Sequence, residues 1–163
     1  MSNKRKQSDF DLLVISPDDA ALAKLRESWT WLLEEPWQPV LFTAFGDMFF
    51  KGREGQIFWL CTGDGSVTQV ADSVEHFETL LETDEADFWL LPDLVQSLIA
   101  EGKVLGPQQC YAFTIAPIFA EYTYTPDNLN PISVQEHFAW SGELQRRISG
   151  MEDGSKIQIE IAD

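Results

Sequence analysis

Few side chains in this sequence could do chemistry. His76 and His137 are its two histidines. Each falls in a segment with helical periodicity, and neither is spaced with cysteine or carboxylate in a zinc or catalytic pattern. The sequence contains no GxSxG elbow, Walker loop, HExxH pair or CxxC pair. Asp47 is the one carboxylate that interrupts a strongly apolar stretch, which makes it the only candidate for hydrolytic acid–base work. Its plainer role is to accept backbone N–H groups at a bend. Gly63-Asp64-Gly65 and Gly46-Asp47 have the composition of a phosphate or metal loop, but a two-residue hairpin turn explains them without a ligand. Cys61 and Cys110 lie in expected strands and read as small buried hydrophobes rather than a disulfide or a ligand pair. No cofactor and no metal is called for.

Charge is more informative. The chain carries 27 acidic against 11 basic residues, a formal net charge of -16. Lys4, Arg5 and Lys6 lie in residues 1–10, read as a disordered basic tail, so the single domain expected over 11–163 is more acidic still. Between Glu54 and Gln145 the only lysine or arginine is Lys103. Such a surface repels phosphates and attracts basic proteins. Nucleic acid is therefore disfavoured, although Tyr111, Phe113, Phe119, Tyr122 and Tyr124 could have stacked bases. The acid is densest over 72–101, a stretch without lysine or arginine. Helical spacing there sets Glu75, Glu78 and Glu82 along one side, opposite Phe77 and Leu80, with Asp84, Glu85 and Asp87 in the loop that follows. The plain reading is a solvated helix face; the functional reading is a docking surface for a basic partner.

The elements that must carry these residues centre on residues 37–71. Three apolar runs there, 40–45, 48–50 and 57–61, are separated by glycine-bearing turns and are rich in β-branched and aromatic residues. That predicts an antiparallel meander closed by a less regular strand over 66–71. Gly46-Asp47 is read as a bulge past which its strand continues, and 52–55 and 63–65 as hairpin turns. A helix is expected to start at Ser16-Pro17-Asp18-Asp19 and to carry Ala21, Leu22, Leu25, Trp29, Leu32 and Leu33 as one stripe, ending before Pro36. Trp29 and Trp31 cannot share its narrow face. Capping boxes at Asp72/Glu75 and Ser133/Glu136 open two more helices, the second running to Ser149 despite Gly142. Pro92 opens another, to Glu101, with Gly102 as its stop. A strand over 110–115 puts Tyr111, Phe113 and Ile115 on one face, an irregular loop spans 116–131, and 156–161 alternates as a last strand. The fold class is α+β, with helices packed on an antiparallel or mixed sheet. No apolar run approaches the roughly 20 residues that span a bilayer, and 12–15 is too short for a signal peptide. A cytoplasmic protein with no membrane contact is expected. The six tryptophans, Trp29, Trp31, Trp37, Trp59, Trp89 and Trp140, read mostly as core, with interface anchors among them.

The run Leu41-Phe42-Thr43-Ala44-Phe45-Gly46-Asp47-Met48-Phe49-Phe50, then Gly55-Gln56-Ile57-Phe58-Trp59-Leu60, resembles the C-terminal domain family of the type VI secretion immunity protein Tdi1. So do Gly102-Lys103-Val104-Leu105, Gln109-Cys110-Tyr111-Ala112-Phe113, the stretch 128–137 and Gly142-Glu143-Leu144. The likeness runs over roughly 29–159, and its motifs are structural rather than chemical. At 118–121 the chain has Ile-Phe-Ala-Glu where the family tends to glycine. The resemblance implies a small bacterial α+β domain, without catalytic residues, that neutralises a secreted toxin, a nuclease in the founding case. The expected partner is thus a cognate basic toxin, met by the acidic surface. The alternatives are an intracellular adaptor using the same face, and a small hydrolase built on Asp47.

Overall fold

Five antiparallel strands in sequence order make the main sheet of the computed structural model, which describes residues 7–114 and 125–149. They are β1 (Val14–Ile15), β2 (Gln38–Thr43), β3 (Met48–Lys51), β4 (Ile57–Cys61) and β5 (Ser66–Ala71). The helices are α1 (Gln7–Asp11), α2 (Asp19–Trp29), α3 (Val74–Leu81), α4 (Glu85–Leu90), α5 (Pro92–Ala100) and α6 (Val134–Ile148). A separate two-stranded ladder pairs β6 (Gln109–Phe113) with β7 (Leu129–Ser133). The α+β class and the meander are as expected.

The central strand explains the layering. Successive side chains of a strand point to opposite faces, yet Met48, Phe49 and Phe50 are all buried, so both faces of β3 must be covered. Met48 and Phe50 pack with Ala21, Leu25 and Trp29 of α2 and with Phe138 of α6. Phe49 points the other way, its ring centroid 4.8 Å from that of Phe77 on α3 and 5.1 Å from that of Trp89 on α4. Each such side chain contributes roughly 1.5–3 kcal/mol on full burial. Helices on both faces are the direct result of an apolar run with no polar alternation.

Several local expectations need correcting. Gly46-Asp47 is not a bulge within one strand. The chain reverses there, β2 pairing with β3 through Phe42 and Met48, and Gly46 takes φ +80, which a β-carbon would strain. The Thr43 N–H donates to the Asp47 carbonyl at 2.9 Å and closes the turn. The hairpin at Asp64-Gly65 has four residues outside the ladder rather than two, since Cys61 pairs with Ser66. Asp18, not Ser16, caps α2, its Oδ1 accepting the Ala21 N–H at 2.9 Å, and α2 ends at Trp29. Leu33 is buried all the same, because a turn returns it to the core: its N–H, like that of Leu32, reaches the Trp29 carbonyl. Ser73, not Asp72, caps α3, its hydroxyl accepting the His76 N–H. The cap at Ser133 is where the spacing put it.

β7 falls where an irregular loop was expected. Pro131 is accommodated in β7, because either strand of a two-stranded ladder has a free side that tolerates a missing N–H. Residues 1–6 of the expected tail, 115–124, and the expected strand at 156–161 lie outside the described residues, and residues 7–11 form α1. Trp29 is fully buried and Trp31 half-buried, stacked at 5.7 Å.

Candidate functional site

The acidic stretch folds into a helical surface rather than a helix and a loop. α3 turns Phe77 inward, and Glu75 and Glu78 are exposed on its outer side with Glu82 just beyond its end. Asp84, Glu85 and Asp87 begin α4, where Ala86, Trp89 and Leu90 are buried at helical spacing. Carboxylates in a first turn also favour the helix dipole, which is a local reason for two of these charges. All six predicted residues are exposed. Lys103, the one cation between Glu54 and Gln145, does not neutralise them: its Nζ donates to the carbonyls of Pro126 and Leu129 at 2.7 and 2.9 Å.

The sequence reading missed the apolar member of this surface. Phe88 is 69% exposed, the most exposed large hydrophobic side chain described, and its ring meets the edge of Trp59 at 6.3 Å. The signal was present in the spacing. Ala86, Trp89 and Leu90 stand at i, i+3 and i+4, so Phe88 had to point outward.

Asp47 has a second neighbour that sequence reasoning did not connect to it. Its Oδ1 accepts both the backbone N–H and the hydroxyl of Thr62, each at 2.9 Å. Thr62 Oγ1 lies 2.8 Å from Nε2 of His137, on α6. With the single hydroxyl proton directed to Asp47, Nε2 must carry the proton for that contact to be a hydrogen bond. His137 is then a donor to Thr62 and not a base acting on it, the reverse of what nucleophile activation requires. Burial pushes the Asp47 carboxyl up to about 6 against the pull of its Thr62 hydrogen bonds. Burial likewise pushes His137 down to about 4. Among the described residues no His, Cys, Asp or Glu grouping is placed to share a metal ion. The cluster joins the β2–β3 turn, the β4–β5 turn and α6.

Residues 71–145 match the family described as T6SS immunity protein Tdi1, C-terminal. Over that stretch the chain is similar to the family. No curated protein matches the chain. The Tdi1 C-terminal match begins at the last residue of β5 and ends inside α6. It takes in Glu75, Glu78, Glu82, Asp84, Glu85, Asp87, Phe88 and His137, whereas Asp47 and Thr62 come from the meander before it. It is narrower than the resemblance over 29–159, leaving out the runs at 41–50 and 55–60. The family so described is one of type VI secretion immunity proteins. No helix among the described residues is long and apolar enough to cross a membrane.

Proposed function

We propose that the protein neutralises a cognate secreted toxin without catalysis of its own, by laying the α3–α4 surface over a basic cleft of that toxin. A nuclease fits best, because its substrate-binding cleft is built to attract phosphate and an acidic cover competes for the same charges. The observation that carries the reading is Phe88, an exposed aromatic side chain within a surface of exposed carboxylates that has no lysine or arginine over 72–101. An aromatic anchor with a charged rim is the usual composition of a binding hot spot. The inert order of the Asp47–Thr62–His137 hydrogen bonds supports a structural rather than a hydrolytic role for that cluster.

The test uses surface plasmon resonance against the product of the neighbouring gene as the candidate toxin. Reversal of Glu78, Glu82 and Glu85 to lysine should slow association strongly at low salt and much less at high salt, since the Debye length is about 10 Å at 0.1 M. Phe88→Ala should act on dissociation instead, speeding it at least about fivefold, the effect of losing about 1 kcal/mol at a hot spot. An unchanged association rate at low salt for the folded triple variant would return the surface to a solvated helix face.

A further inference from the structure

A cavity of about 360 Å³ opens between α6, the β6–β7 ladder and the β4–β5 turn, and the toxin reading does not use it. Its walls are apolar: Phe113, Ile132, Leu144 and the ring of Trp140, which is 43% exposed and stands at the rim. His137, 8% exposed, lies at its base. The Cδ2 and Nε2 edge of that imidazole faces Gly46 and Thr62. A β-carbon on Gly46 would sit 2.5 Å from Cδ2 and 2.7 Å from Nε2, and Nε2 is engaged by Thr62. The edge left to face the cavity is the one that bears Nδ1. Because Nε2 holds the proton of the neutral ring, Nδ1 presents a lone pair.

Several donors of the lining are already engaged. The Thr62 hydroxyl goes to Asp47, the Gln145 carboxamide N–H to the Gly63 carbonyl, and the Asn130 carboxamide N–H to the Thr114 hydroxyl. The exposed Glu136 carboxylate in the lining adds a further acceptor. A donor on the ligand matches the Nδ1 lone pair, and an anion would face the Glu136 carboxylate. The aromatic walls and the modest volume suit one flat ring system.

We propose that this cavity is a binding site for a flat aromatic group carrying one hydrogen-bond donor, an indole or a phenol, with the donor on Nδ1 of His137. The chemistry has two sources, a tryptophan or tyrosine side chain of another protein and a free small molecule. The site does not depend on the toxin reading, and its test needs no toxin.

The full chain, isotopically labelled, is titrated with indole and with benzofuran, which has the same shape and no donor. Indole should bind saturably and move the Nδ1 resonance of His137. Benzofuran should bind about fivefold more weakly, the worth of one neutral hydrogen bond, and leave Nδ1 in place. Trp140→Ala, at the exposed rim where folding is not at stake, should weaken both. Benzoate should not bind. N-acetyltryptophanamide separates the sources: affinity matching indole assigns the site to a side chain, and its exclusion while indole still binds assigns it to a free ligand. Shifts that never saturate, or equal affinity for indole and benzofuran with Nδ1 unmoved, would overturn the proposal.

Discussion

Replacing Asp47 with asparagine should change stability below pH 4 only by a constant, and should shift the difference in favour of asparagine as pH rises through 6. Burial raises this carboxyl from its ordinary 3.8 to about 6. The folded chain thus holds the proton over a range in which the unfolded chain has released it. The stability this group contributes is complete below 3.8 and is lost as pH rises through about 6. At 1.36 kcal/mol per pH unit, the interval amounts to about 3 kcal/mol. Asparagine keeps a carbonyl oxygen to accept from Thr62 and cannot ionise, so it escapes that loss. Its own hydrogen-bonding differences do not titrate and add only an offset. Urea denaturation of both proteins from pH 3.5 to 7.5 reads the difference directly, because carboxylates common to both cancel. With a urea slope of about 2 kcal/mol per M, the midpoint gap should widen by about 1 M between pH 4 and pH 6 and level off about a unit above pH 6, the whole titration amounting to about 1.5 M. A gap that does not change with pH, or one that widens in favour of aspartate, would show that the Thr62 hydrogen bonds outweigh desolvation and would refute the reasoning.

Two further outcomes follow from close packing. Gly142→Ala would place a β-carbon 2.5 Å from the Ser28 carbonyl oxygen and 2.7 Å from its β-carbon, forcing α6 away from α2. The overpacking costs about 1–3 kcal/mol and outweighs the roughly 1 kcal/mol that alanine gains in helix propensity, so thermal unfolding should move down by a few degrees. Burial, and next the charge of Asp47, push the thiols of Cys61 and Cys110 well above the ordinary cysteine range. A chromogenic disulfide reagent at pH 8 should therefore label neither in the native protein and both in urea.

The legible parts of the fold were those set by local rules. Ser133 and Glu136 marked the start of α6 because a cap needs only residues three apart, and Pro92 and Gly102 bracketed α5 for the same reason. Pairing across the chain was harder to read. Whether Gly46-Asp47 bends a strand or reverses it depends on whether Met48 lies beside Phe42, which composition does not state. His137 meets Thr62 across 75 positions of sequence, so its role at the end of a polar chain left no local trace. The six carboxylates were singled out by charge and by helical spacing, and both are local signals. Phe88 was overlooked because Phe88-Trp89-Leu90-Leu91 looks like one buried run until the helix is phased on Ala86.

The two surfaces proposed for binding lie in different halves of the packing, which makes their tests independent. α3 and α4 rest on the side of the sheet that holds Phe49, Phe77 and Trp89. Phe138 of α6 packs with α2 in the other cluster, beside Met48, Phe50 and Leu60. The carboxylates reversed in one experiment and the rim tryptophan removed in the other share no hydrogen-bond partner, and substitutions so separated add with little coupling. The triple lysine variant should therefore bind indole with wild-type affinity, and Trp140→Ala should associate with the toxin at the wild-type rate. Loss of both functions in either variant would mean that the protein had misfolded or that the toxin reaches across the edge of the sheet. Circular dichroism of the variant separates these, since only misfolding alters the spectrum.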